Sequence, residues 1–215
     1  IKDTGKRGRN SQDSYEFEES TTPKKKQKVT SKSSKFIKDK DELQAIRTSP
    51  TSDQVKFIQS QCNMNPSITD QDVVTFEGNE RSAENDIYQI LDQMNTDLDL
   101  NLGKENVPGS PTVLIISSSA VGCLPFISGI RKQKNNWKLV KLFAKHIKIA
   151  EQERLLQKKV SIGIGTPNRI LQLLSKDVLK LDACKLVIID CSENVKRQTL
   201  FDIRETKSDL ISLCQ

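Results

Sequence analysis

The sequence predicts an α/β fold: a parallel-sheet domain preceded by a helical segment and an extended basic tail. Strand-like apolar runs alternate with helix-like stretches in the C-terminal half, which is typical of a parallel sheet with crossover helices. Apolar spacings of three and four residues precede that region and indicate helices. The chain therefore divides into a tail (1–35), a helical segment (36–100), a linker (101–111) and an α/β domain (112–215).

The tail is rich in Lys, Ser, Thr and Glu and is too poor in apolar residues to bury a core. Residues 1–40 hold 12 Lys and Arg against 6 Asp and Glu, which equals the net charge of +6 of the whole chain. Within the tail, "PKKKQKV" resembles a monopartite nuclear localisation signal that fits the acidic groove of an importin. The same lysines also suit RNA, and a solvated charge run is the alternative. The residues concerned are Pro23, Lys24, Lys25, Lys26 and Lys28.

Three stretches of the helical segment have helical spacing, namely "DELQAIR", "SDQVKFIQSQC" and "NERSAENDIYQILDQM". Ser52 or Asp53 is suited to cap the second helix and Asn79 the third, because their side-chain oxygens accept from exposed backbone N–H groups. Pro50 and Pro66 mark turns. The Gly- and Pro-containing stretch "LNLGKENVPGSP" then predicts a linker and a domain boundary.

The α/β domain opens with the apolar strand "TVLIISSSAV", followed by the helix "PFISGIRKQ". A second strand, "KLVKLFA", precedes the amphipathic helix "IKIAEQERLLQKK". The strand "KVSIGIG" leads into the helix "PNRILQLLSKD", and the strand "KLVIID" is followed by a closing helix in "QTLFDIRETKSDLISLC". The continuous apolar character of these strands indicates burial on both faces of the sheet.

Sites in open α/β sheets lie beyond the carboxyl ends of the strands. Ser117, Ser118 and Ser119 leave the first strand as small hydroxyl donors, suited either to phosphate oxygens or to turn formation. In "GIGTPNRI", Gly165 permits a tight strand end, while Thr166 and Pro167 suit the start of a helix. Arg169 follows in the first helical turn, and a helix N-terminus beside a guanidinium binds phosphate well; a capped helix with a surface Arg is the alternative.

The third strand end carries Asp190 and Glu193, which would organise Mg²⁺ if a nucleotide were present. That chemistry requires a G-x-x-x-x-G-K-[ST] loop, and the 215 residues contain none. The Thr-Gly-Lys at residues 4–6 lies in the charged tail with no strand before it. We therefore expect no catalytic residues and no cofactor.

These motifs occur in the order found in DEAD-box helicases. "IGIGTPNRI" resembles their T-P-G-R segment, "LVIIDCSE" resembles the strand that leads to D-E-A-D, and "SSSAVG" occupies the place of P-T-R-E-L-A. More closely, "WKLVKLFAKHIKIAEQERLLQKKVSIGIGTPNRI" resembles a DEAD-box-like family of the small-subunit processome, the 90S pre-ribosome. The resemblance spans roughly residues 111–215 and implies a degenerate RecA-like fold, a nuclear and nucleolar location, and ribosome assembly.

The departures from the helicase pattern bear on catalysis. Asp190 matches the first helicase acid, but Cys191 replaces the Glu that positions the attacking water. Ser192 and Glu193 replace Ala and Asp, and Asn168 replaces the Gly of T-P-G-R. A thiol does not supply the carboxylate that orients water, so we expect a non-catalytic factor that binds pre-rRNA or snoRNA and assembly proteins. Two other hypotheses stay open: an active helicase whose missing parts lie outside this sequence, and an RNA-binding module acting alone.

A basic stretch supplies the remaining candidates. Residues 131–159 carry ten Lys and Arg against two acids, and Lys141 and Lys145 are the predicted RNA contacts among them, with a solvated face as the alternative. Trp137 is either a base-stacking residue or half-buried structure, and His146 is predicted to be a surface or packing residue. Cys184, Cys191 and Cys214 are predicted core thiols. No apolar run reaches the roughly 18–20 residues that cross a bilayer, and no Cys/His zinc spacing occurs.

Overall fold

The computed structural model describes residues 45–46, 49–62, 83–94, 98, 100, 107–133 and 136–214. The tail with its importin-type motif, Asn79, Pro66 and most of the linker lie outside these residues. Ala45 and Ile46 are helical, and the other residues of the stretch "DELQAIR" lie outside the described part. The helices α1 (Thr51–Cys62) and α2 (Ala83–Gln93) follow. The α/β region follows with β1 (Val113–Ile116), α3 (Cys123–Lys132), β2 (Leu139–Leu142), α4 (Ile149–Leu156), β3 (Ile162–Gly165), α5 (Pro167–Ser175), β4 (Leu186–Ile189) and α6 (Arg204–Cys214).

The four strands form one parallel sheet in the order β2-β3-β1-β4. The predicted α/β class with a parallel sheet is thereby confirmed. In register, Ile116 at the end of β1 lies beside Gly165 of β3 on one side and Ile189 of β4 on the other. Leu142 at the end of β2 lies beside the same Gly165. All four carboxyl ends therefore meet at one edge of the sheet.

The sheet has a covered face built from alternate residues of its strands. Val113 and Ile115 of β1 and Ile162 and Ile164 of β3 pack in one buried cluster. The apolar sides of α2 and α3 cover this face, through Ile87, Leu91, Cys123, Ile127 and Ile130. Each Leu, Ile or Val side chain of this cluster contributes roughly 1.5–3 kcal/mol on full burial.

The helical segment and the sheet share this core. α2 packs directly against α3. Leu98 and Leu100, at the border of the predicted linker, belong to the same buried cluster. The hydroxyl of Ser161, at the start of β3, donates to the backbone oxygen of Leu100 at 2.6 Å and so ties the two parts together.

The opposite face of the sheet is covered by the other helices. Right-handed crossovers require α3 on one face and α4 and α5 on the other, because β1 connects to β2 in one direction while β2 and β3 connect onward in the reverse direction. α6 packs against α5, and α1 packs on α6. Phe57 of α1 meets Phe201 edge-to-face at a centroid distance of 5.7 Å.

Two predictions need correction. The closing helix begins at Arg204 rather than near Gln198, because Thr199 donates from both its backbone N–H and its hydroxyl to the Asp202 carboxylate and holds a turn. The thiols of Cys184, Cys191 and Cys214 are only half-buried, whereas that of Cys123 is buried. Cys123 lies in the first turn of α3, on the side of that helix that faces the sheet.

Candidate nucleic-acid interface

The crevice between β1 and β3 is the natural ligand position of this sheet. The chain leaves β1 toward α3 on one face and leaves the neighbouring β3 toward α5 on the other. The two loops therefore separate at the carboxyl edge, which is the topological switch point where open α/β sheets bind ligands. The sequence motifs "SSSAVG" and "GTPN" form these two loops.

Ser117 is fully buried and lies below the crevice rather than in it. Its hydroxyl donates to Oδ2 of Asp190 at 2.7 Å, and its backbone N–H donates to the oxygen of Gly165 at 2.9 Å. Ser117 thus joins the ends of three neighbouring strands. Ser118 follows it and is half-exposed, so its hydroxyl is more accessible to a ligand than that of Ser117.

Asp190 is held on both carboxylate oxygens. Oδ2 accepts from Ser117, and Oδ1 accepts from the backbone N–H of Ser192 at 3.0 Å. Only 9% of the residue is exposed. The predicted metal-organising acid therefore closes the turn after β4 and links it to β1. No group of three or more His, Cys, Asp or Glu with metal-ligand spacing occurs among the residues whose positions are described.

The carboxylate also affects a neighbouring thiol. Burial raises the pKa of the Cys123 thiol to about 12, and the negative charge of Asp190 adds to the shift. Cys123 therefore stays protonated at neutral pH and acts as an apolar core group. Burial likewise raises the pKa of Cys184.

Gly165 lets β3 end close against β2. A Cβ at this position would lie 2.2 Å from the backbone oxygen of Leu142. The backbone N–H of the next residue, Thr166, donates to that same oxygen at 3.0 Å. The predicted tight strand end is therefore set by strand packing.

Thr166 and Pro167 begin α5 as predicted, with Pro167 in the first turn. Thr166 has extended backbone angles and its side chain makes no capping hydrogen bond. Thr166 is half-exposed and Asn168 is exposed, whereas Pro167 is buried. The N-terminus of α5 thus opens onto the crevice through Thr166 and Asn168.

Arg169 is buried, with 8% of the residue exposed. The alternative prediction of a surface Arg on a capped helix is therefore wrong. Its Nη1 donates to Oε1 of Gln152 at 2.6 Å and to the backbone oxygen of Ile147 at 3.2 Å. Its Nε is buried without a partner. Arg169 thus ties α5 to the N-terminal part of α4.

Gln152 is a structural residue that the sequence analysis missed. It is fully buried and donates from Nε2 to the backbone oxygens of Lys141 at 2.7 Å and Phe143 at 3.1 Å. It therefore links Arg169 to the end of β2. Its place in an amphipathic helix gave no signal, because a Gln on a helix is usually solvated.

The lysines of the basic stretch lie in and around β2, which is an edge strand of the described sheet. Lys138 precedes the strand and is exposed, Lys141 lies within it and is half-exposed, and Lys145 and Lys148 follow it and are exposed. His146 is also exposed, as predicted, and has a positive φ of 61° in the turn after β2. A basic row thus runs along this side of the domain.

Trp137 is buried structure. Its ring stacks on Tyr88 of α2 at a centroid distance of 5.6 Å, and 8% of the residue is exposed. It also lines a cleft of about 450 Å³ at the amino end of β2, together with Ile130, Arg131, Gln133, Lys138, Leu139, Val140, Leu155, Lys158, Lys159 and Val160. The sequence signalled this cleft only through the excess of Lys and Arg in residues 131–159.

In the described part of the chain, no helix combines the length and the apolar character needed to cross a membrane. The fold and the site together define an open parallel α/β domain with a hydroxyl-bearing crevice and a basic edge strand. A sequence model of the CMS1 family, described as a U3-containing 90S pre-ribosomal complex subunit, matches residues 72–215. Because this match covers about two thirds of the sequence, the chain belongs to that family.

Individual relatives agree with the family match. The chain is 42% identical over 106 residues to the protein CMSS1 of Xenopus laevis, which covers 48% of this chain and 38% of the relative. It is 37% identical over 108 residues to human CMSS1, covering 49% and 39%. It is 33% identical over 108 residues to the protein CMS1 of Chaetomium thermophilum, covering 49% and 43%. The matched region thus spans about two fifths of the length of these relatives.

Proposed function

We propose that this protein is a non-catalytic assembly factor of the small-subunit processome. It binds pre-rRNA or a snoRNA together with assembly proteins, and it acts in the nucleus and nucleolus. The single observation that carries this proposal is the family match over residues 72–215, because the family is described as a subunit of a U3-containing 90S pre-ribosomal complex. The predicted ribosome-assembly family agrees with that match.

The proposed RNA surface combines the crevice with the basic row on β2. Ser118, Thr166 and Lys145 are accessible on neighbouring loops of the carboxyl edge, and Lys141 lies beside them on β2. Hydroxyl and ammonium groups donate to phosphate oxygens without reading base identity. The other predicted contact residues support this surface from beneath, since Ser117, Gly165, Pro167 and Arg169 are buried.

The absence of ATP hydrolysis is also part of the proposal. Asp190 accepts hydrogen bonds on both carboxylate oxygens, and Cys191 stands where a helicase carries the acid that orients water. We infer a RecA-like, helicase-like scaffold that is used for binding. The strand order β2-β3-β1-β4 and the order of the motifs along the chain support this inference.

The tail has two roles in the proposal. The motif at Pro23, Lys24, Lys25, Lys26 and Lys28 recruits an importin and brings the protein into the nucleus. Within the particle, the same lysines add sequence-independent contacts to RNA phosphates.

Recovery of U3 RNA tests the proposal. The tagged chain is expressed in cells, affinity-purified from nuclear extract, and the associated RNA is quantified. We expect enrichment of U3 over an unrelated small nuclear RNA. We also expect a several-fold loss of U3 in a Thr166→Ala/Lys145→Glu variant, because phosphate contacts contribute much of the affinity of RNA-binding proteins.

A matched control is Lys196→Glu, which reverses an exposed charge on the loop after β4. Recovery of U3 at background level by the unaltered chain contradicts the proposal. So does RNA-stimulated ATP hydrolysis by the purified chain that is lost in Asp190→Ala, since that result indicates an active helicase.

A further inference from the structure

The amino end of the sheet carries a basic cleft that lies away from the carboxyl-edge crevice. Its walls are the end of α3, the start of β2, the end of α4 and the approach to β3. Its volume of about 450 Å³ falls in the range of small-molecule and cofactor pockets, roughly 300–1,000 Å³. A cleft of this size accepts one nucleotide with its base.

The rim of the cleft is strongly positive. Arg131, Lys138, Lys158 and Lys159 line it, and all four residues are exposed. Among the described residues that line the cleft, none carries a carboxylate. Four cations at one opening hold a positive potential that attracts phosphate groups.

The floor of the cleft is apolar. Ile130, Trp137, Val140 and Val160 are buried, and Leu139 and Leu155 are the other apolar residues of the lining. Leu155 is 43% exposed although it is a large apolar side chain. An apolar floor beneath a cationic rim matches a nucleotide, whose base is flat and poorly solvated while its phosphate is charged.

We propose that this cleft seats one nucleotide of a single-stranded RNA, with the flanking phosphates held by Lys138 and Lys158. The RNA strand then continues along β2 toward Lys141 and Lys145. The four residues of β2 span about 13 Å. The cleft at the amino end of this strand and the loop at its carboxyl end are therefore close enough for one RNA strand to contact both. The inference deepens the proposed RNA-binding function and rests on it.

The apolar floor favours RNA over an acidic peptide. Asp and Glu side chains reach the lysines but leave the floor uncovered, whereas a base covers it. An acidic peptide therefore gains only the exposed ion pairs, which contribute little because water and salt screen them.

Trp137 makes the cleft directly observable, because it is the single Trp of the sequence. The purified full chain is titrated at low salt with a 12-nucleotide oligouridine and, in parallel, with a 12-residue oligoglutamate. Binding is followed by Trp fluorescence and by anisotropy of a label on the probe. We expect the oligouridine to quench Trp137 and the oligoglutamate to leave its emission unchanged.

The test variant is Lys138→Glu/Lys158→Glu, and the matched control is Lys196→Glu/Arg204→Glu, which changes the net charge equally at exposed positions outside the cleft. We expect the test variant to bind oligouridine at least about tenfold more weakly and to lose the quench. Its salt slope should fall by about 1.4, since each single-strand phosphate contact contributes about 0.7. The control should keep the quench and stay within about twofold of the unaltered chain.

Three results overturn the proposal: no quench by oligouridine at low salt, equal loss of affinity in the test and control variants, or an equal quench by oligoglutamate. The last identifies an acidic-peptide site. Circular dichroism checks the fold, and Lys138→Ala/Lys158→Ala decides the outcome if the Glu variant does not fold.

This experiment separates the cleft from the proposed function. If oligouridine quenches the Trp137 fluorescence but the chain recovers no U3 RNA from cells, the cleft proposal is supported and the proposed assembly role is contradicted. If the chain recovers U3 RNA but oligouridine does not quench the Trp137 fluorescence, the assembly role is supported and the cleft proposal is contradicted.

Discussion

The two ends of the sheet use their polar residues differently. At the carboxyl end, Ser117, Asp190 and Arg169 are buried and form side-chain hydrogen bonds to other protein groups. At the amino end, Lys138 and Lys158 are exposed at the rim of the basic cleft, whose floor is apolar. The residues that resemble a helicase motif mostly hold the framework, while side chains that belong to no motif supply a positive surface.

This difference separates stability from affinity. Substitutions beneath the carboxyl edge should lower the free energy of unfolding and leave the cleft intact. Charge reversals at the cleft should lower RNA affinity and leave the fold intact, because exposed charges contribute little to stability. Three substitutions beneath the carboxyl edge sharpen the comparison.

The largest effect is expected for Gly165→Ala. The added methyl would lie 2.2 Å from the backbone oxygen of Leu142, so two strands must separate. We expect a loss of about 3 kcal/mol in urea unfolding, at the upper end of overpacking costs. Gly163→Ala is the matched control, because its methyl meets the ends of the Leu142 and Leu114 side chains at 2.9 and 3.2 Å, and it should cost about 1 kcal/mol. Equal losses would contradict strand packing as the reason for glycine at position 165.

Arg169→Met should cost about 2–3 kcal/mol, because it leaves Oε1 of Gln152 buried without its donor. Arg154→Met, on the exposed side of α4, is the control and should change stability by less than about 0.5 kcal/mol. Because Gln152 also donates to the backbone oxygens of Lys141 and Phe143, Gln152→Leu is itself destabilising. The double variant Arg169→Met/Gln152→Leu should nevertheless lose less stability than the sum of the two single losses, since the bond between the two side chains is removed only once. Strictly additive losses in chemical denaturation would argue against this coupling.

The smallest effect concerns the pH dependence set by Cys123. Because its pKa rises from 9.0 in the unfolded chain to about 12 in the folded protein, its contribution is fully present below pH 9. Between pH 9 and 12 the unfolded chain releases the proton first, so stability falls by about 1.4 kcal/mol per pH unit. Chemical denaturation at pH 9 and at pH 10 measures this change. Between the two pH values, the free energy of unfolding should fall by about that amount more in the unaltered chain than in Cys123→Ala. Equal losses of stability by Cys123→Ala and by the unaltered chain over this pH interval would point to another titrating group.

The sequence was sufficient for the element order because local patterns carry it. Continuous apolar runs located β1, β3 and β4, and helical spacing located α1, α2 and α4. The start of α6 was placed too early, because the turn at Thr199 depends on a side-chain contact with Asp202 that no periodicity reveals. Of the predicted contact residues, Ser118, Thr166 and Lys145 lie accessible at strand ends, whereas the burial of Ser117, Gly165, Pro167 and Arg169 was not foreseen.

What the sequence determined by itself is the class of the fold and the basic character of residues 131–159, since these depend only on residue types and their order. The tertiary structure decided which polar groups face inward. Arg169 and Ser117 are buried against hydrogen-bond partners that only folding brings near. Gln152 lies 17 residues from Arg169 along the chain, and Asp190 lies 73 residues from Ser117. The cleft beside Lys138 likewise exists only because the ends of α3 and α4 meet the start of β2, and long-range packing of this kind has no local signature.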